Sequence, residues 1–213
     1  MKSPSLTILG SWLLCLGALA SGCGHAEGFS GTEEDPVVGP PPSVAAPPPG
    51  EERYDRKQWQ HWVDTDRDCQ NTRHELLIRD SLEEVSFKSA RGCKVTSGLW
   101  VSASTGAQWR QSQKLDADHI VALKWAHSHG GDRWTKSLKR RFANDLDNLQ
   151  LIERRQNTAK GARGPSRWLP ASPSYICPYI HKFNAIVVRY QLTFTTEELA
   201  RIRAAKAEHG CGQ

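Results

Sequence analysis

Asp116-Ala117-Asp118-His119-Ile120-Val121 is the stretch on which the reading of this chain turns. It carries two carboxylates and an imidazole straight into apolar residues that continue to Leu123. Downstream come Asn144-Asp145-Leu146-Asp147-Asn148-Leu149-Gln150-Leu151 and then Gln156-Asn157-Thr158-Ala159-Lys160-Gly161. Each piece alone has an ordinary explanation. A histidine at a strand end is commonly a hydrogen-bonded structural residue. Asn144-Asp145 can end a helix, Asn157 can cap one, and Lys160-Gly161 is an ordinary helix C-terminus.

Together, and in this order, the three pieces suit phosphodiester hydrolysis. The reaction needs a base to deprotonate water, and an imidazole titrating near neutrality serves well. It needs a cation to offset charge building on the phosphate and on the departing oxygen. One carboxylate and one amide carbonyl are hard ligands that leave room for water and phosphate, as magnesium prefers. An amide or backbone carbonyl can then fix the imidazole's tautomer.

Working outward, Trp59 to Trp62 reads as an amphipathic segment leading into Asp64-Thr65-Asp66-Arg67-Asp68. That acidic cluster lacks the glycine and distal glutamate of an EF-hand and reads as a solvated turn. Asn71 to Asp80 reads as a helix, and Lys94-Val95-Thr96 with Leu99-Trp100-Val101 as a hairpin around Ser97-Gly98. Asp132 to Phe142 is expected as a helix capped by Asp132. Leu149 to Ile152 is expected as a strand, and Arg154 to Lys160 as a short helix stopped by Gly161. Tyr175 to Tyr190 reads as a helix starting around Pro178. Thr195 with Glu198 forms a capping box for a last helix to about Ala207.

The chain has 213 residues, enough for one catalytic domain beside a leader and a linker. Lys2, the apolar run Ile8 to Ala20 and the small residues before Cys23 read as a signal peptide over residues 1–23. Ala20-Ser21-Gly22-Cys23 resembles a degenerate lipobox, so a lipid anchor at Cys23 and ordinary cleavage nearby both stay open. Residues 24–50, with Pro40-Pro41-Pro42 and Pro47-Pro48-Pro49, have little to bury and read as a linker. Without Lys2, and without Glu27, Glu33, Glu34 and Asp35, the remaining 27 basic and 19 acidic residues give residues 51–213 a formal +8, against +5 for the whole chain. A basic exported domain suits a polyanionic partner, although basic surfaces also merely aid solubility. Cys69, Cys93, Cys177 and Cys211 point to two disulfides. Cys69–Cys93 and Cys177–Cys211 are the favoured pairs, since each brackets a local unit. Zinc ligation competes weakly, because no CxxC pair exists.

Tyr54-Asp55-Arg56, Asp68-Cys69, Thr72 to Glu75, Gly92 to Val95, Asp116 to Leu123, Phe142 to Leu151, Asn157 with Lys160-Gly161, Arg167 to Pro170 and Tyr175 to Cys177 stand in one order. On these marks, most of residues 53–213 resembles secreted HNH-type nucleases that share the C-terminal domain of GmrSD-like restriction enzymes. The resemblance implies an α+β fold with a strand–strand–helix (ββα-metal) core, added helices and one bound divalent ion. It implies His119 as base, with Asp118 and Asn157 as metal ligands. Asn148, or nearby Asn144, would hold the histidine loop, and Lys160 would grip a phosphate. Asn157 stands where the familiar HNH pattern often has a final histidine. The amide favours Mg2+, with Mn2+, Ca2+ and Zn2+ left open.

Arg73 and His74 are further candidates for phosphate contact, whereas Glu75 equally suits a salt bridge within the fold. His127 and His129 are read as loop histidines outside the site. The eight Trp residues belong mostly to a stapled core, and Lys139-Arg140-Arg141 is a basic helix end suited to a nucleic-acid backbone. The resulting expectation is an exported bacterial endonuclease, acting on DNA, with RNA left open, and with little base readout. A monomer with no protein partner is expected. A non-catalytic nucleic-acid-binding protein on the same scaffold is the alternative, and a toxin-like effector a weaker third.

Overall fold

Residues 53–212 are described in a computed structural model. The expected leader, the lipobox-like stretch at Cys23 and the expected Pro-rich linker lie outside these described residues. A 3-10 turn at Arg56–Gln58 leads into the acidic turn and then to helix α1, Thr72–Arg79. The Asn71 side chain accepts the His74 backbone N–H and caps α1, one of the orphan donors of a helix start. Strands β1 (Ser86–Phe87), β2 (Val95–Val101) and β3 (Gln108–Gln111) follow as an antiparallel sheet in that order.

The expected hairpin at Ser97-Gly98 is not formed. Val95 to Val101 runs as one strand between β1 and β3, and its register shifts between Ser97 and Trp100. The reversal comes later, where Ser102 N–H reaches Ala107 O and Gly106 takes φ +76°. Gly98 is needed for closeness instead of turning. A Cβ there would lie 2.6 Å from Ser81 Oγ and 2.8 Å from the Trp100 ring.

Strand β4 (Leu115–His119), helix α2 (Leu123–Ser128), helix α3 (Lys136–Asn144), strand β5 (Leu149–Glu153) and helix α4 (Arg154–Lys160) come next. β4 pairs antiparallel with β5 through all five residues, from Leu115 opposite Glu153 to His119 opposite Leu149. With α4 following directly, these elements make a strand–strand–helix unit. Helix α3 starts three residues later than expected, because Thr135 Oγ1 accepts Leu138 N–H and is the cap. Asp132 belongs to a separate 3-10 turn.

Helix α5 spans Pro173–Arg189 and α6 spans Thr196–Glu208. Pro173, at the first helical position, starts α5 where no N–H is required, and Pro178 lies inside the helix. The Thr195/Glu198 capping box opens α6 as expected. No helix of the described residues is long and apolar enough to cross a membrane.

The chain is therefore a mixed α+β protein with small sheets. Cys69–Cys93 and Cys177–Cys211 are both bonded, in the favoured pairing. One apolar cluster gathers Trp59, Val121, Phe142, Tyr179 and Phe183 around the helices. A second gathers Leu76, Leu77, Val95, Trp100, Leu115, Leu149 and Leu151, joining α1 to both sheets. Overpacking the second cluster gives a direct test. Gly98→Ala should lower unfolding stability by about 1–3 kcal/mol, read as a fall in the urea midpoint, and an unchanged midpoint would refute the close approach.

Candidate active site

Alternation along β4 puts Asp116 and Asp118 on one side of the strand, and the register sets Asp118 opposite Gln150. Both Asp118 oxygens are engaged. Lys160 Nζ donates to Oδ1 at 3.1 Å and Gln150 Nε2 to Oδ2 at 3.0 Å. Lys160 also donates to the His119 backbone carbonyl at 2.7 Å. Gln150 is in turn held by Tyr175, whose hydroxyl donates to Oε1. Asp118 is 7% exposed and Lys160 not at all. Burial raises the Asp118 pKa, and the ammonium and the Gln150 amide pull it back.

His119 ends the strand with its ring buried. Its Nε2 lies 2.9 Å from the Ala143 carbonyl. A carbonyl only accepts, so Nε2 carries the proton and Nδ1 is left with the lone pair. Trp62 stacks on the ring, centroid to centroid 5.6 Å. Burial pushes the His119 pKa down to about 3, against the pull of the Ala143 bond and with added repulsion from Lys160, Arg56 and His61. The imidazole is therefore neutral well below neutrality, lower than the near-neutral titration expected from the sequence.

Asn148 lies beneath the loop that follows His119. Its Oδ1 accepts Val121 N–H at 2.9 Å, its Nδ2 donates to Val121 O, and its backbone carbonyl accepts Ile120 N–H. Asn144 faces elsewhere. Its Oδ1 accepts from Val63 N–H and Thr72 Oγ1, and its Nδ2 donates to Gln60 O and Arg140 O. It ties down the leading segment, and it is its neighbour Ala143 whose carbonyl holds the histidine.

Asn157, on α4, donates from Nδ2 to Asp116 Oδ2 at 3.2 Å, which turns its Oδ1 away from that carboxylate. A cavity of about 300 Å³ brings together Tyr54, Arg56, Asp118, His119, Lys124 and Asn157. For a hard divalent ion the residues fit. Asp118 and Asn157 offer oxygen donors to one space, and a carboxylate's lone pairs exceed the two bonds Asp118 makes. They do not make a zinc cage. Among the described residues, the one cluster of three such ligand side chains is Asp64, Asp66 and Asp68, exposed on the acidic turn.

Three expected phosphate contacts are corrected. Lys160 is fully buried between Asp118 and the His119 carbonyl, so it stabilises the site from beneath. Arg73 donates through Nη2 to the Ser112 and Leu115 carbonyls. His74 Nδ1 accepts Val95 N–H at 3.1 Å. All three close backbone or carboxylate valences that the fold would otherwise leave unmet. Lys139 is likewise buried, donating to Gln58 over the Trp59 ring. Arg56 and Lys124 are the exposed cations at the cavity. Arg56 lies in the Tyr54-Asp55-Arg56 motif, in which nothing local marks it for the site. Gln150 carried a signal of its own, as a polar residue within the apolar run Leu149 to Ile152. The Ala143 carbonyl, a backbone group, carried none.

A buried, oriented imidazole thus shares a cavity with two oxygen-bearing side chains, Asp118 and Asn157, and two exposed cations. Residues 55–204 match the family described as GmrSD restriction endonucleases, C-terminal domain, and the chain belongs to that family. This relates it to nucleases. A relative from the fungus Arthroderma benhamiae, described as an uncharacterized secreted protein, is 37% identical over 147 residues, covering 68% of this chain and 70% of its own. No solved structure matches the chain.

Two outcomes follow from this geometry. Lys160→Met strands a buried carboxylate and should cost about 3–5 kcal/mol of stability in EDTA. Adding Asp118→Asn should recover part of it, and a single variant as stable as wild type would refute the pair's role. Burial, with Arg73 and Lys94 nearby, holds the His74 pKa below its ordinary 6.5. As pH falls below 6.5 the unfolded chain takes up this proton before the folded one, so stability falls. The urea midpoint should therefore drop on acidification, and less steeply in His74→Asn.

Proposed function

We propose that this domain hydrolyses phosphodiester bonds of nucleic acid, DNA foremost and RNA as a second substrate, with little sequence preference. The observation that carries the reading is His119. Its Nε2 is committed to the Ala143 carbonyl, and the residue lies at a cavity lined also by Asp118, Asn157 and two exposed cations. Ala143 keeps the tautomer whose Nδ1 can take the proton from the attacking water, and the negative charge of a bound phosphate favours the imidazolium that results, against the lowering by burial. Asp118 and Asn157 hold one divalent ion, Mg2+ before Mn2+, Ca2+ or Zn2+, so that β4, β5 and α4 act as a ββα-metal (HNH-like) unit. When bound, the ion offsets charge on the phosphate and the leaving oxygen. Arg56 and Lys124 steer the strand to the cavity, and Asn148 fixes the loop behind the base.

Export is part of the proposal. Support comes from the apolar leader within residues 1–23 and from a relative described as secreted. That relative is fungal, so a bacterial source is not assumed. Residues 24–50 act as a spacer and residues 51–213 as the working unit, a monomer tethered or released according to the fate of Cys23. The rival, a non-catalytic nucleic-acid-binding protein, draws on Lys160, which already neutralises Asp118.

One experiment separates the two. The disulfide-intact protein is incubated with supercoiled plasmid in magnesium or in EDTA, beside His119→Ala. Nicking should require the ion and fall at least ~10²-fold in the variant. A His119→Ala protein that cuts like wild type would remove the base assignment, and a wild type inert with every divalent ion on DNA and RNA would favour the rival.

A further inference from the structure

Next to the cavity at His119 is a larger one, of about 610 Å³, and the two share Tyr54 and Lys124 in their linings. The larger cavity adds Arg53 and Arg133, set against one carboxylate, Asp132. Arg53, Lys124 and Arg133 are exposed, and among the described residues none of them forms an ion pair. Among the described lining residues, three cations stand against one carboxylate before any histidine is counted.

The two histidines at this cavity are held as parts of its wall. His129 lies flat on Trp125 with centroids 3.6 Å apart, its Nδ1 against the Trp125 carbonyl and its Nε2 3.0 Å from Glu198. His127 is buried, with the Tyr54 ring standing edge-on at 5.4 Å. Arg133 is presented by a tightly determined turn. Gly130 takes φ +114°, and a Cβ on Gly131 would lie 2.7 Å from the Ala126 carbonyl. The guanidinium folds back to within 3.6 Å of where a Gly130 Cβ would stand. The cavity is thus a fixed concavity with an aromatic side wall and a cationic rim, of a size suited to a small ligand.

We infer that this second cavity binds the nucleotide that flanks the scissile phosphate, with Arg133, Lys124 and Arg53 on its phosphate and Tyr54 against its sugar and base. The inference rests on the phosphodiesterase reading and names where the strand continues. Lys124 and Tyr54 stand between the cavities, so one strand can set a phosphate beside His119 and its next phosphate beyond Lys124. Guanidinium groups suit such a contact because two donors can reach one phosphate. An aromatic wall accepts any base, in keeping with cutting that reads few of them.

The test uses the full chain carrying His119→Ala, in EDTA, and a short fluorescein-labelled single-stranded DNA followed by anisotropy across a salt series. Adding Arg133→Ala should raise Kd about ten-fold at moderate salt. It should also reduce the slope of log affinity against log salt by about 0.7, the share of one phosphate contact on a single strand. Arg133→Lys should restore most of the slope. Arg203→Ala, an exposed α6 position outside both cavities, is the control for charge in general and should leave the slope as it was. An unmoved Kd and slope in Arg133→Ala, or an equal loss in Arg203→Ala, would overturn the inference. The two readings fail separately. Loss of the phosphodiesterase reading shows as a wild-type chain that never cuts, whereas failure of this cavity shows in the inactive background, with cutting intact.

Discussion

An ammonium and a carboxylate, both withdrawn from water, meet 3.1 Å apart where β4 passes beneath α4. Removing two charges from solvent is costly, and the attraction between them offsets that cost only when every remaining valence is filled. Here much of that is met by extension, with lone pairs of Asp118 left over. Lys160 takes the His119 carbonyl, Asp118 takes Gln150, and Gln150 takes the Tyr175 hydroxyl. One polar chain therefore pins β4, β5, α4 and α5 to each other. The apolar cluster around Leu115, Leu149 and Trp100 supplies the packing on the other side. The strand–strand–helix unit takes its geometry from the first and its cohesion from the second.

That division explains which cations reach solvent. Strand ends and loop carbonyls at the centre of the domain need donors, and long basic side chains supply them. Arg73 and Lys160 are spent in this way. The exposed charge is left to residues on short connecting segments and helix surfaces, such as Arg56, Lys124 and Arg133. A net positive domain is thus not a uniformly positive surface, and the count of basic residues overstates what a polyanion would meet.

Local signals in the sequence were read well where they rest on local physics. The Thr195 capping box, the helix stopped at Gly161, the β5 strand and both cysteine pairs needed only spacing and short-range hydrogen bonding. Errors arose where distant packing decided. Ser97-Gly98 has turn chemistry, yet β1 and β3 flank the segment and Trp100 needs the space, so the strand runs on. Asp132 is a good cap residue, but the turn fixed by Gly131 against Ala126 delays the helix to Thr135. Within the candidate site, the meeting of Asp118, His119 and Asn157 was legible from motif order. Whether Lys160, Arg73 and His74 point inward was not, because burial is a property of the assembled fold.

The group that orients His119 belongs to the main chain at Ala143. Removing the side chain at that position leaves the carbonyl in place, so truncation there does not delete the contact. Only displacement of the end of α3 can do so, and that end is moored by Asn144 to Val63, Thr72 and Gln60. Alanine scanning would pass over Ala143 in silence and report the effect at Asn144 or along the leading segment, some eighty positions earlier in the chain. Mutational sensitivity and chemical proximity would then map to different parts of the molecule.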